Sequence, residues 1–187
     1  MTVADFQIES AKRNADRLLN KVHQLRVTLR EAYTRIAHLE DQAKARGVRI
    51  PLLDRRAFFE EVAGALAFGE RYAVPMSVVV GNIQNFSVVN DRYGFEVGDG
   101  VLDAVTERMR SVIRQTDLLG RIGDDVFCVL LWNTNVSAAG SKAQEMQRLF
   151  ADLPVMIDGH AISIGLSVGA ATANANDAPQ DLIDRAA

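Results

Sequence analysis

Carboxylates gathered at the tip of a hairpin can hold a cation, accept a proton or simply shape a turn. The stretch Arg114-Gln-Thr-Asp117-Leu-Leu-Gly-Arg121-Ile-Gly123-Asp124-Asp125-Val126-Phe127 has such a tip. Apolar runs, Leu118-Leu119 before it and Val126 to Leu131 after it, predict two strands. Gly123-Asp124-Asp125 between them predicts a β-hairpin with acids at its end. Turn chemistry alone accounts for Asp124 and Asp125, and it is favoured over a working two-metal centre. Two further polar residues stand out at spaced positions, Asn90 and Asp99. Asn90 can cap a turn before Asp91, and Asp99 after Gly98 makes a good helix N-cap.

The elements that must position these residues follow from periodicity. Asp54 is a plausible N-cap for a helix through residues 54–66. A strand follows from Met76 to Ile83, then a helical turn to Tyr93 and a helix from Asp99 to about Ile113. After the hairpin come a helix from about Ser137 to Asp152 and a second hairpin turning at Asp158-Gly159. Its return strand runs from Ala161 to Ala171, and a short helix starts at about Ala178. Strands alternating with helices plus two hairpins predict an α/β domain, an antiparallel-containing sheet covered by helices.

Ahead of it, residues 4 to about 45 hold no Gly and no Pro. Ala4, Ile8, Ala11, Ala15, Leu18, Val22, Leu25, Leu29, Ala32, Ile36, Leu39 and Ala43 all fall on a or d positions of a heptad. A narrow apolar seam on a long helix needs a partner helix. The chain therefore divides into a coiled-coil dimerisation helix, 1–46, and a globular domain, 47–187. A parallel homodimer through residues 4–43 is the favoured assembly, with a hetero-coiled-coil left open.

Composition excludes several classes. The 187 residues carry a net charge of −3 and are 48% hydrophobic. That balance gives no global case for nucleic acid or an anionic membrane surface. No apolar run approaches the roughly 18 residues of a membrane span, and the N-terminus has no signal pattern; a cytoplasmic location is expected by elimination. Cys128 is the single cysteine and lies in an apolar strand, so a buried inert thiol is expected. Trp132, Phe58, Phe59 and Phe86 read as core, His23 and His38 as solvated stalk residues, and His160 as following a turn.

The hairpin string resembles the signature of GGDEF domains, the diguanylate cyclases of bacterial second-messenger signalling that make cyclic di-GMP from GTP. The resemblance extends over roughly residues 47–187 through Val78-Val-Val-Gly-Asn82-Ile83-Gln84-Asn85-Phe86, Val89-Asn90-Asp91-Arg92-Tyr93-Gly94, Val97-Gly98-Asp99-Gly100 and Ser167-Val168-Gly169. It implies the ferredoxin-like palm of nucleotide cyclases. It also implies that Asn90 and Asp99 stand where the family reads guanine, alongside their capping roles. Arg114-Gln-Thr-Asp117 matches the family's Arg-x-x-Asp inhibitory site for product cyclic di-GMP. Asp125 matches a metal ligand, though a weak one here.

The departures from the pattern bear on catalysis. Asn82 replaces the aspartate that holds metal, Asp124 the second glycine, and Val126 the fourth signature acid. A neutral amide serves Mg²⁺ on a triphosphate poorly, and an isopropyl group cannot serve it at all. The entry motif Asp-x-Leu-Thr-Gly-Leu-x-Asn-Arg appears as Gly47 to Arg55 with few matches. The family's closing Tyr-x-Ala-Lys segment is not met before Ala187. The expectation is a catalytically inactive domain with remnant positions Asn82, Gly123, Asp124, Asp125 and Val126. It binds cyclic di-GMP through Arg114 and Asp117 and acts as effector or scaffold with an unknown protein partner. GTP is a second candidate ligand; no cofactor is required beyond Mg²⁺ for any residual GTP binding. An active cyclase using Asp125, or a purely structural coiled-coil module, are the alternatives.

Overall fold

The computed structural model describes residues 49–151 and 154–187 together with scattered positions between 17 and 39. The chain divides into two units, Met1–Val48 and Arg49–Ala187. In the first, the described seam positions Leu18, Val22, Leu25, Ala32 and Leu39 are helical and exposed. The other seam positions, and His23 and His38, lie outside the described residues.

In the second unit the elements run β1 (Leu52–Leu53), α1 (Arg55–Tyr72), β2 (Met76–Ile83), α2 (Phe86–Tyr93), α3 (Phe95–Val112), β3 (Leu118–Arg121) and β4 (Val126–Trp132). They continue with α4 (Val136–Ala151), β5 (Val155–Ile157), β6 (His160–Ile162), β7 (Leu166–Thr172) and α5 (Pro179–Ala186). The main sheet has the order β1-β3-β4-β2-β7, and β5-β6 forms a separate two-stranded ribbon. Only β1 with β3 is parallel; the other ladders are antiparallel. This is a nucleotide-cyclase-like palm, a mixed sheet covered by helices, as expected.

Strand alternation splits the core in two. Val79 and Ile83 of β2 and Phe127, Val129 and Leu131 of β4 face α2, α3 and α4. Met76, Val78 and Val80, with Cys128 and Leu130, face α1 and α5. Because both faces of β2 and β4 are apolar, these strands sit at the centre of the sheet. Cys128 is fully buried, and desolvation pushes its thiol far above the usual range, so it stays protonated. Phe58 and Phe86 are buried as expected, while Phe59 and Trp132 are half-buried at the core's margin.

Local signals explain the ends. Asp54 caps α1, its carboxylate accepting from the Ala57 N–H at 2.8 Å. Asp158 and Gly159 both take positive φ, 47° and 80°, as a two-residue hairpin turn requires. α5 is held by Arg185, which donates to the Thr172 carbonyl and pairs with Asp177. Hydrogen bonding from that guanidinium holds the Asp177 carboxyl below its ordinary range.

Two expectations need correction, and one element was not foreseen. The helix expected from Asp99 begins a turn earlier, at Phe95, after Gly94 at φ 87°. Asp99 is therefore inside α3 and caps nothing. The return strand expected from Ala161 to Ala171 is broken into β6 and β7, which belong to different sheets. The break falls at Gly165, whose carbonyl accepts from the Gln84 N–H at 2.8 Å and against which the Gln84 side chain packs. β1 was not expected; a Leu-Leu pair pairs with Leu119 and Gly120 and carries the entry segment onto the sheet. Among the described residues no helix is long and apolar enough to cross a membrane.

Candidate functional site

Helical spacing collects polar groups on two facing surfaces. Phe86, Ser87 and Asn90 share one side of α2, and Phe95, Asp99 and Leu102 share one side of α3. With Arg121, Asp124 and Asp125 of the hairpin tip they enclose a cleft of about 440 Å³. Four of the positions picked from sequence, Asn90, Asp99, Asp124 and Asp125, thus line a single cleft although they span residues 90–125. A larger cavity, about 540 Å³, lies between the end of α1 and the loop before α5. It is lined chiefly by small apolar residues, and its Asp177 is already paired with Arg185.

Asn90 lies within α2, its carbonyl accepting from the Gly94 N–H at 2.9 Å, so it does not act as a side-chain cap. Its Oδ1 is buried without a hydrogen-bond partner. The amide rests over Gly98, where an added Cβ would collide with Oδ1. Gly98 is thus the clearance that lets Asn90 sit between the helices. Asp99 is exposed, and among the described residues it has no hydrogen bond or ion pair. Both side chains keep polar capacity that the fold does not consume.

The hairpin tip is braced by cations. Arg121 donates through Nε to the Gly123 carbonyl at 3.2 Å and through Nη2 to the Asp124 carbonyl at 2.7 Å. Arg55 donates to the Ile122 carbonyl at 3.0 Å from the other side. The Asp125 carbonyl accepts from Ile83 N–H at 3.0 Å, tying the tip to the end of β2. These contacts hold the backbone and leave the Asp124 and Asp125 carboxylates at the cleft.

Register places Asn82 directly opposite Val126 across the β2–β4 ladder, with Ser167 opposite on β7. Residues paired this way share a sheet face. Asn82 is exposed, and Val126 packs against the α1–α5 side of the core. The donor set suits a Mg²⁺–triphosphate poorly. Asn82 and Val126 bring no carboxylate to the ladder, and among the described residues no three Asp, Glu, His or Cys side chains converge in a way that could hold a metal.

Arg114 and Asp117 lie at the opposite end of the hairpin, before β3. Arg114 is exposed, whereas Asp117 is buried at 3% exposure. Asp117 Oδ2 accepts from the Arg114 N–H at 2.9 Å, and Oδ1 from the Trp132 N–H at 3.3 Å. The Asp117 N–H in turn donates to the Arg114 carbonyl at 3.0 Å. The carboxylate therefore closes the four-residue turn and pins it to the end of β4. A buried aspartate engaged with backbone amides positions Arg114; it does not stand open to a ligand in this geometry.

Sheet order, cleft and braced acidic tip define a nucleotide-cyclase-type palm. Residues 51–187 match the family described as "Diguanylate cyclase, GGDEF domain", and the chain belongs to that family. A diguanylate cyclase of Vibrio cholerae is 30% identical over 128 residues, 68% of this chain and 38% of that protein. Diguanylate cyclase DgcP of Pseudomonas aeruginosa is 29% identical over 153 residues, 80% of this chain and 23% of that protein. The chain thus spans well under half the length of these relatives. The structure of the active GGEEF domain of a Vibrio cholerae diguanylate cyclase superposes with a TM-score of 0.66 at 29% identity, over 73% of this chain and 86% of that one.

The brace at Asp117 makes a stability prediction. Asp117→Ala leaves two backbone donors without their acceptor and is expected to cost about 1–3 kcal/mol. Asp117→Asn, which keeps one acceptor oxygen, is expected to cost less. Urea midpoints of the two variants check this, and an unchanged midpoint for Asp117→Ala removes the brace.

Proposed function

We propose that this GGDEF domain does not make cyclic di-GMP but binds it at the Arg114–Asp117 turn, acting as an effector or scaffold in second-messenger signalling. The observation that carries the reading is the pairing of Asn82 with Val126. The two lost acids fall at one point of the sheet, so no neighbouring carboxylate on that ladder compensates. Joining two GTP molecules requires metal-bound, activated triphosphates, and an amide facing an isopropyl group supplies neither charge nor a proton acceptor. No cofactor is needed for the binding role; Mg²⁺ enters only with any residual GTP.

Arg114 supports the binding half. Its guanidinium is exposed on a turn whose backbone is fixed, so little conformational freedom is lost on docking. A guanidinium forks onto guanine O6 and N7 or onto phosphate oxygens. Asp117 sets the angle from which it does so. Asn90 and Asp99 would remain as a guanine-reading remnant.

The stalk adds assembly. The exposed seam positions Leu18, Val22 and Leu25 need cover, and a second copy in parallel supplies it. Two domains held side by side could share one dinucleotide, raising its effective concentration at the second site. The state so formed would be read by a protein partner. A second reading, an active cyclase, is favoured by the names of the relatives and by Asp125, which still stands at the cleft.

Isothermal titration with cyclic di-GMP tests the binding role. Saturable binding is expected, weakened at least tenfold in Arg114→Ala, about 1.4 kcal/mol; equal affinity in the variant rejects the assignment. For the assembly, Val22→Asp with Leu25→Asp is expected to convert a dimer to monomer in sedimentation equilibrium. A wild-type monomer at micromolar concentration would contradict it.

A further inference from the structure

The cavity of about 540 Å³ lies at the opposite end of α1 from Arg55, the residue that reaches the hairpin tip. Its walls are fixed by backbone contacts. Gly69 lets the α1–β2 loop fold back against the helix, because a Cβ there would meet the Val74 carbonyl oxygen at 2.8 Å. The Val74 N–H donates to the Gly69 carbonyl at 3.0 Å. On the facing side the Ala173 N–H donates to the Met76 carbonyl at 2.8 Å, and Asp177 Oδ2 accepts from the Asn174 N–H at 2.6 Å. Each rim bends at a left-handed residue, Ala73 at φ 54° and Asn176 at φ 63°. Alanine takes that conformation only at a cost, and such strain collects at ligand clamps. Ala63 and Ala67, one turn apart on α1, leave open a hollow that larger side chains would fill. A preformed, largely apolar hollow with a few polar groups at its edge has the form of a small-molecule site.

We propose that this cavity binds a small organic cation, a primary ammonium on a short apolar body, with Glu70 as its counter-ion. Glu70, Asn174 and Asn176 line the cavity, and among the described residues their side chains make no hydrogen bond or ion pair. A carboxylate and two amide oxygens match the three N–H donors of an ammonium group. The apolar body would lie on the alanines of α1 and against Val74 and Pro179.

The charge of the cavity selects the sign of the ligand. None of the residues lining it is Lys, Arg or His. Of its two carboxylates, Asp177 is balanced by Arg185, whose guanidinium donates to both Asp177 oxygens and to the Thr172 carbonyl. Glu70 has no such balance. It stands in the last turn of α1, where the negative end of the helix dipole also favours a cation. The basic residue of that turn, Arg71, leans over the Tyr72 ring at 5.5 Å and does not line the cavity. An anion would meet uncompensated negative charge there, and a neutral ligand would leave Glu70 without a partner. The inference is independent of the cyclic di-GMP reading: a different ligand, on residues that include neither Arg114 nor the hairpin.

The test is an amide NMR titration of the full 187-residue chain at neutral pH with n-hexylamine, 1-hexanol and hexanoate, which share one apolar body and differ in the charge of the head group. The ammonium is expected to shift the amides of Gly69, Val74 and Asn176 saturably. The alcohol should bind roughly fivefold more weakly, the upper end for an exposed ion pair, and the carboxylate not measurably. Glu70→Gln should weaken the ammonium by the same roughly fivefold factor and leave the alcohol unchanged. Ala67→Phe, which fills the hollow from an exposed position, should abolish both. Should that variant unfold, Glu70→Gln decides alone. No saturable shift with the ammonium, hexanoate binding as tightly, shifts confined to residues away from the cavity, or an unaffected Glu70→Gln each overturns the proposal.

Discussion

Strand β2 is paired along both edges and covered on both faces, so its register is fixed by burial rather than by any single contact. A slip of one residue would turn Val78 and Val80 toward the α3 side and Val79 and Ile83 toward α1, exchanging two differently shaped cores. Everything at the candidate site is hung from that register. It sets Asn82 against Val126 and Ser167, lets Ile83 hold the Asp125 carbonyl, and so fixes how far the hairpin tip reaches over the helices.

The hairpin formed by β3 and β4 has two working ends. At the tip, Arg121 and Arg55 tie down the backbone and Asp124 and Asp125 face the cleft. At the base, Asp117 folds the Arg114 turn and bonds to the far end of β4. The two ends differ in sign. The tip presents carboxylates and disfavours polyanions, while the base presents an exposed guanidinium and favours them. The proposed receptor role rests on this contrast between an acidic tip and an exposed arginine at the base.

Local chemistry was readable in the residues; non-local pairing was not. Gly123-Asp124-Asp125 and Asp158-Gly159 announce turns because glycine and aspartate tolerate the needed backbone, and Asp54 announces a cap. The start of α3 was misplaced because Gly98-Asp99 looks like a boundary, whereas the break is one turn earlier at Gly94, with its positive φ. Gly98 is there instead to clear Asn90. That Asn82 and Val126 face each other depends on a ladder between residues 44 apart, which neither neighbourhood records. The sequence places Asp117 beside Arg114 as a ligand-binding acid and says nothing of its burial. Only its backbone partners, including the distant Trp132 N–H, show why it is buried.

Mass-spectrometric assay of the purified chain incubated with GTP and Mg²⁺ or Mn²⁺ tests the central claim most directly. The account predicts no cyclic di-GMP above a no-protein control. Multiple turnovers of product would show that an amide at position 82 and a valine at 126 suffice for synthesis, and would contradict it.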